Sequence, residues 1–231
     1  MRRVFLIILA VLLLYAGVDI FWPLQRDLRQ FDPVTLGQLE TKMWRSYYDR
    51  QPAALFIELA QMLRSQYQFP LLRSYLGAYY GTAAAFTFKD GKRRSDYELA
   101  LPALNTYFGL IRSTGNVDFD VQRAAALELE WWIVHRDRVN YPKSALGRAC
   151  AEAAASVYHV SAASTLQYGQ LRAAAMNIRD TRADAGGAED ADWAEIASLL
   201  HQSYDALHQA VSDKRSMPAM VLWDGGATLQ R

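Results

Sequence analysis

The chain contains one cysteine, Cys150. That excludes an internal disulfide and any metal site built from several thiolates. Neither sign of charge dominates: 25 basic residues stand against 24 acidic ones, a net charge of +1. Such a balance supplies no general field for nucleic acid, and no nucleic-acid partner is expected. The spacings that announce common chemistries are also missing. There is no G-x-S-x-G, no P-loop, no G-x-G-x-x-G, no H-E-x-x-H and no C-x-x-C-H. No cofactor is expected, and an enzyme here would need an unrecognised motif. Alternating apolar and polar residues never run long enough for a sheet.

What the chain does have begins at its amino terminus. Arg2 and Arg3 precede Val4–Val18, fifteen residues without a charge or a strongly polar group. Asp19 interrupts, Ile20-Phe21-Trp22 continue, and Pro23 follows. A membrane-spanning helix needs about 20 apolar residues. Asp19 sits near the far end, where a carboxylate reaches interfacial water, and Trp22 suits a membrane boundary. A cleaved signal needs small residues at the cut. The nearest candidate, Tyr15-Ala16-Gly17-Val18, is followed by Asp19 and bulky Ile20 and Phe21. Residues 1–24 are therefore expected to be an uncleaved signal anchor that meets the membrane through residues 4–22. The positive-inside rule then places the body on the periplasmic side of a bacterial inner membrane.

The body, residues 25–216, reads as one all-α domain, with 217–231 as a tail in which Val221, Leu222 and Trp223 could dock. Asp32-Pro33 starts a helix to about Asp49, and Gln51-Pro52 starts another to about Tyr67. A third runs from Pro70 to Phe88. Ser95 and Glu98 fit a capping box, and Pro102 must kink the helix behind it or shift its start. Later helices span about 118–139, 143–159, 162–183 and, after a capping box led by Asp192, 192–212. The expected architecture is an irregular helical bundle or stacked helical hairpins, about eight helices behind one transmembrane helix. Leu76-Gly77-Ala78-Tyr79-Tyr80 fits the L-G-x-x-Y fragment of a tetratricopeptide repeat. Arg73 stands where that pattern places Trp and nothing recurs one period later, so no repeat family follows.

Two helices are chemically odd. Residues 69–88 carry one charge, Arg73, and show no polar face, which predicts burial on all sides. On 123–138, Glu128 and His135 fall within the apolar arc of Ala124, Leu127, Trp131, Trp132 and Val134, with Arg138 close to the same line. A carboxylate buried alone costs several kcal/mol, so Glu128 needs a partner, and Arg73 is the expected one. Arg73, Tyr79, Glu128, His135 and Arg138 thus form a candidate ligand pocket, against the plainer reading of a polar network that fixes helix register. Lys89, Lys92, Arg93 and Arg94 precede a helix amino terminus and are a candidate anion site. Residues 44–50, "WRSYYDR", mix Arg with aromatics as interfaces do. His201, Asp205 and His208 share a helix side but lie off its packed face, so a solvated flank is expected and no metal site.

The functional expectation is an accessory or scaffold subunit held at the membrane and docking protein partners. The first alternative is a binding protein for a small anionic or amphiphilic ligand. The second is an enzyme.

Overall fold

The computed structural model describes residues 1–184 and 186–213. The expected tail at 217–231 lies outside the described residues. Among the described residues, ten α-helices and two short 3₁₀ turns make up the fold, and the single extended contact is a bridge between Arg26 and Gly115. Helix α1 (Arg2–Phe21) stands almost wholly exposed, buried only at Asp19. Its 20 residues span about 30 Å, the thickness of a bilayer core. Among the described residues it is the one helix long and apolar enough to cross a membrane.

The body helices are α2 (Pro33–Tyr48), α3 (Pro52–Tyr67), α4 (Leu71–Asp90), the one-turn α5 (Arg94–Tyr97), α6 (Leu101–Thr114), α7 (Val121–Arg136), α8 (Ala145–Tyr158), α9 (Leu166–Asp184) and α10 (Asp190–Ser212). Local signals set several of these bounds. Asp32 accepts from the Thr35 amide at 3.0 Å and Pro33 opens α2, while Asp120 caps α7 through the Arg123 amide at 3.0 Å. Pro102 does shift a start: a 3₁₀ turn, Glu98–Ala100, separates α5 from α6. Two expected boxes differ. Ser95 does not cap a helix; Asp96 instead accepts from the Lys92 amide at 3.1 Å. The box at α10 begins at Glu189, with Asp192 as its third helical residue accepting from the Glu189 amide at 2.9 Å.

Each long body helix packs on the next, with α5 and its turn carrying the chain from α4 to α6, and α10 packs back on α2. The bundle is thus closed into a ring of eight rather than extended as a stack of hairpins. Neighbours run antiparallel. Asp190 pairs with Arg45 near one end of the α2–α10 seam, and His208 packs on Phe31 near the other. Two seams demand glycine. A Cβ on Gly37 would lie 2.9 Å from the His201 backbone, and one on Gly169 would lie 2.0 Å from the Gly147 carbonyl oxygen. The alternation gives the ring two ends. One holds residues 23–32, 68–70, 115–120 and 159–165; the other holds 49–51, 91–100, 137–144 and 186–189.

The anchor joins the first end. Arg73, fully buried, donates from Nε to the Asp19 carbonyl at 2.9 Å, from Nη2 to the Trp22 carbonyl at 2.6 Å and from Nη1 to Thr114 Oγ1 at 3.0 Å. In return, the Asp19 carboxylate accepts from the Arg73 amide at 2.9 Å. A cation thus closes the carbonyl end of α1 while an anion closes the amide end of α4, each favoured by the helix dipole it meets. The following segment is pinned as well: Leu24 donates to the Ser113 carbonyl and Arg26 to the Thr114 carbonyl, at 2.7 and 3.0 Å.

This joint corrects the expected Arg73–Glu128 pair. Arg73 is spent on α1, because the one charge of residues 69–88 lies at the first turn of α4, beside the exit of the anchor. Helix α4 is also not buried all round. Leu71, Tyr75, Tyr79 and Phe86 are exposed, and Tyr79 contacts Tyr80 on the outside of the ring.

Candidate functional site

The ring encloses a cavity of about 610 Å³ lined by residues from all eight long body helices. Toward the anchor end it is closed. Gln66, Tyr67, Phe108, Tyr158 and Leu207 are buried there, and Gln66 Nε2 donates to the Tyr158 hydroxyl at 3.1 Å. Toward the opposite end its lining reaches the surface at Tyr47, Arg136 and Arg138. From Arg73 to Phe88, which lies at that open end, α4 rises about 22 Å at 1.5 Å per residue. The mouth therefore faces away from the anchor.

The centre of the cavity holds charge. Arg172 of α9 grips Glu40 of α2 with both arms of its guanidinium, Nη1 reaching Oε2 at 2.5 Å and Nη2 reaching Oε1. Their side chains are 12 and 4% exposed, so the pair sits almost out of water. Burial alone would lower the Arg172 pKa, but Glu40 outweighs it and holds the guanidinium well above its ordinary value. The cation also lies over the rings of Trp44 and Trp131, 5.8 and 5.4 Å from their centroids.

Glu128 lines the same cavity from α7. Its Oε1 accepts from the Trp132 indole at 3.1 Å, and the Trp131 indole supplies a second hydrogen bond. It forms no ion pair among the described residues, since the nearby Arg172 fork is occupied by Glu40. Burial raises its carboxyl above the usual range; the indole bonds and Arg172 only moderate the rise. Burial likewise raises the hydroxyls of Tyr107 and Tyr168 and pushes the Cys150 thiol up to about 12, so that sulfur is an inert part of the wall.

At the mouth, a histidine and two arginines converge on Asp180. His135 Nε2 and Arg138 Nη1 each stand 2.9 Å from its Oδ2, and Arg179 Nη1 stands 3.3 Å from Oδ1. Burial works to raise the Asp180 pKa, but the His135 bond and the neighbouring charges win and hold it below the ordinary carboxylate value. Arg136 braces the rim, donating to the carbonyls of Phe88, Lys89 and Gly91 at 2.9–3.2 Å while stacked on Phe88.

Of the residues singled out in the sequence, Glu128, His135 and Arg138 line this cavity; Arg73 and Tyr79 do not. Lys89, Lys92, Arg93 and Arg94 sit on the α4–α5 turn. There Arg93 pairs with Asp96, and Arg94 with Glu98 and Glu130, so half of that charge is already met. His201 and His208 are half-buried against Gly37 and Phe31 rather than solvated, and no cluster of three or more metal-ligating side chains occurs among the described residues. Sequence reasoning missed Glu40, Arg172 and Asp180. Glu40 carried a usable signal: it falls four residues after Leu36 and three before Met43, on the packed face of α2. The 44–50 segment proves to be cavity wall, with Trp44, Tyr47 and Tyr48 lining it.

The fold and site thus define a membrane-associated all-α bundle closed around a central cavity. Comparison with family models, with curated proteins and with solved structures returns no match, so the cavity must be read from its own chemistry.

Proposed function

We propose that the ring is a binding chamber for a small amphiphilic molecule, held at a membrane surface by α1. The observation that carries this reading is a central cavity of about 610 Å³ with ionisable groups set in aromatic walls. Interiors close-pack, and an opening of this size, mostly apolar with a few placed polar groups, has the character of a ligand site. The mouth opens on the side away from the anchor, so the molecule arrives from the aqueous phase. With the positive-inside rule applied to Arg2 and Arg3, that phase is the periplasm of a bacterial cell.

The test uses the full chain in lipid nanodiscs with the neutral probe N-phenyl-1-naphthylamine. The wild type should gain thermal stability on adding the probe, as any ligand specific to the folded state requires. The filled variant Ala154→Phe should show no gain, because Ala154 lines the cavity. Equal gains in both proteins, or none in either, would refute a chamber.

A docking role at the same membrane is the second reading. It draws on Leu71, Tyr75, Tyr79 and Phe86, exposed apolar and aromatic side chains of α4. A stoichiometric partner recovered after mild detergent extraction, and lost on Tyr79→Asp, would support it.

A further inference from the structure

Over its whole lining the chamber carries four arginines against three carboxyls, but three of those arginines stand at the mouth. At the centre one carboxyl, Glu128, is left without an ion pair, and that local imbalance selects a ligand. Glu40 and Arg172 neutralise each other, and the paired geometry uses both oxygens of one and both arms of the other. A ligand anion would have to displace Glu40 from that fork while facing a second carboxyl, Glu128. Glu128 has hydrogen bonds from indoles but no ion pair among the described residues, since the nearby Arg172 is held by Glu40. A carboxyl in an enclosed space without a countercharge is costly when ionised, so a cation brought to it is held strongly.

The walls favour the same sign. Aromatic faces attract cations through the negative potential of the ring, and this cavity already stacks three of its own. Arg172 lies over Trp131, Arg136 over Phe88 at 4.2 Å, and Arg179 over Tyr48 at 3.1 Å. Around Glu128 stand more rings than these arginines occupy: Trp132 bonds it, and Tyr67 and Tyr107 are close enough to feel its charge. A carboxylate framed by aromatic faces is the recognition chemistry of an ammonium group.

We infer that the ligand carries a positively charged ammonium or related cationic end, seated against Glu128, with its apolar body along the aromatic walls. This rests on the chamber reading above and adds the sign of the charge to it.

Three water-soluble probes of similar size separate the possibilities: benzyltrimethylammonium, phenylmethanesulfonate and 3-phenylpropanol. Their binding to the full chain in nanodiscs can be followed by tryptophan fluorescence, since Trp44, Trp131 and Trp132 line the cavity. The wild type should bind the ammonium at least tenfold more tightly than the other two. Glu128→Gln should lose that preference while binding 3-phenylpropanol as before, which also shows that the variant is folded. Glu128→Asp, which keeps the charge, should retain the preference. A wild type that prefers the sulfonate, or a Gln variant that still prefers the ammonium, overturns the inference and leaves the chamber standing. Failure of all three probes and of N-phenyl-1-naphthylamine to bind overturns both.

Discussion

Arg73 and Arg172 both hold their guanidinium groups almost out of water, and for different purposes. Arg73 hands its guanidinium to two backbone carbonyls and a threonine hydroxyl, and does not line the central cavity. Arg172 hands its guanidinium to one carboxylate, beside a cavity. The first satisfies groups that every helix end leaves unpaired, so it is structural by construction. The second satisfies a carboxylate that need not have been there at all. Buried ion pairs contribute little net stability, which turns attention to what the pair does for the space around it.

That contrast can be broken by substitution, beginning with the largest effect. Arg73→Met leaves the α1 carbonyls and Thr114 without their donor and the amide end of α4 beside an unbalanced Asp19. A loss of about 3–5 kcal/mol is expected in denaturant unfolding of the full chain, by the standard for breaking a buried charged network. No single partner change should restore it, because two of the partners are main chain. Arg172→Met should cost a similar amount, about 3–5 kcal/mol, by stranding Glu40. Here the double variant Glu40→Gln with Arg172→Met should recover most of the loss, because both charges leave together. If the double variant is no better than the single, the two arginines are not different in kind.

Smaller effects sharpen the picture at the mouth and in the cavity. Asp180→Asn should destabilise by about 1–3 kcal/mol, since it removes the shared acceptor of His135, Arg138 and Arg179. The folded pKa of Asp180 is depressed. Its contribution is therefore full above the ordinary carboxyl value of about 3.9 and fades as pH falls below that toward the folded value. The Asn variant should lose this acid-side dependence in a pH series of unfolding midpoints. Glu128 has the opposite sign: its folded pKa is raised. Stability should fall as pH climbs from about 4.3 through the raised value, because the folded state holds a proton that the unfolded chain has released. Glu128→Gln should abolish that fall and stabilise the empty protein at neutral pH. A site group whose removal stabilises is the usual mark of stability traded for function.

Most of the fold was legible because its signals are local. Asp32-Pro33, Gln51-Pro52 and Tyr141-Pro142 mark helix boundaries by fixed backbone chemistry, and the observed helices begin or end within a few residues of them. The closure of the ring was not legible, because the α10–α2 seam joins residues 145 or more positions apart and depends on Gly37 admitting the His201 backbone. The site was half legible. Asp19 and Arg73 each stood out as a lone charge in apolar surroundings, but their pairing depends on where α1 leaves the body. Glu128 stood out in the same way, while Arg172 was hidden. Its helix, α9, carries enough Arg, Asp and Asn that one more cation on it draws no notice.

The interlocked capping of α1 and α4 has a mechanical consequence. A tether that ends in a flexible linker lets its cargo swivel and bob. Here the run from Phe21 to α2 is clamped by Arg73, Ser113 and Thr114, so the chamber stands on a stiff mast. On the proposed reading, its opening would then be held at a set height and tilt over the lipid, and whatever delivers or collects the molecule would have to reach to that height.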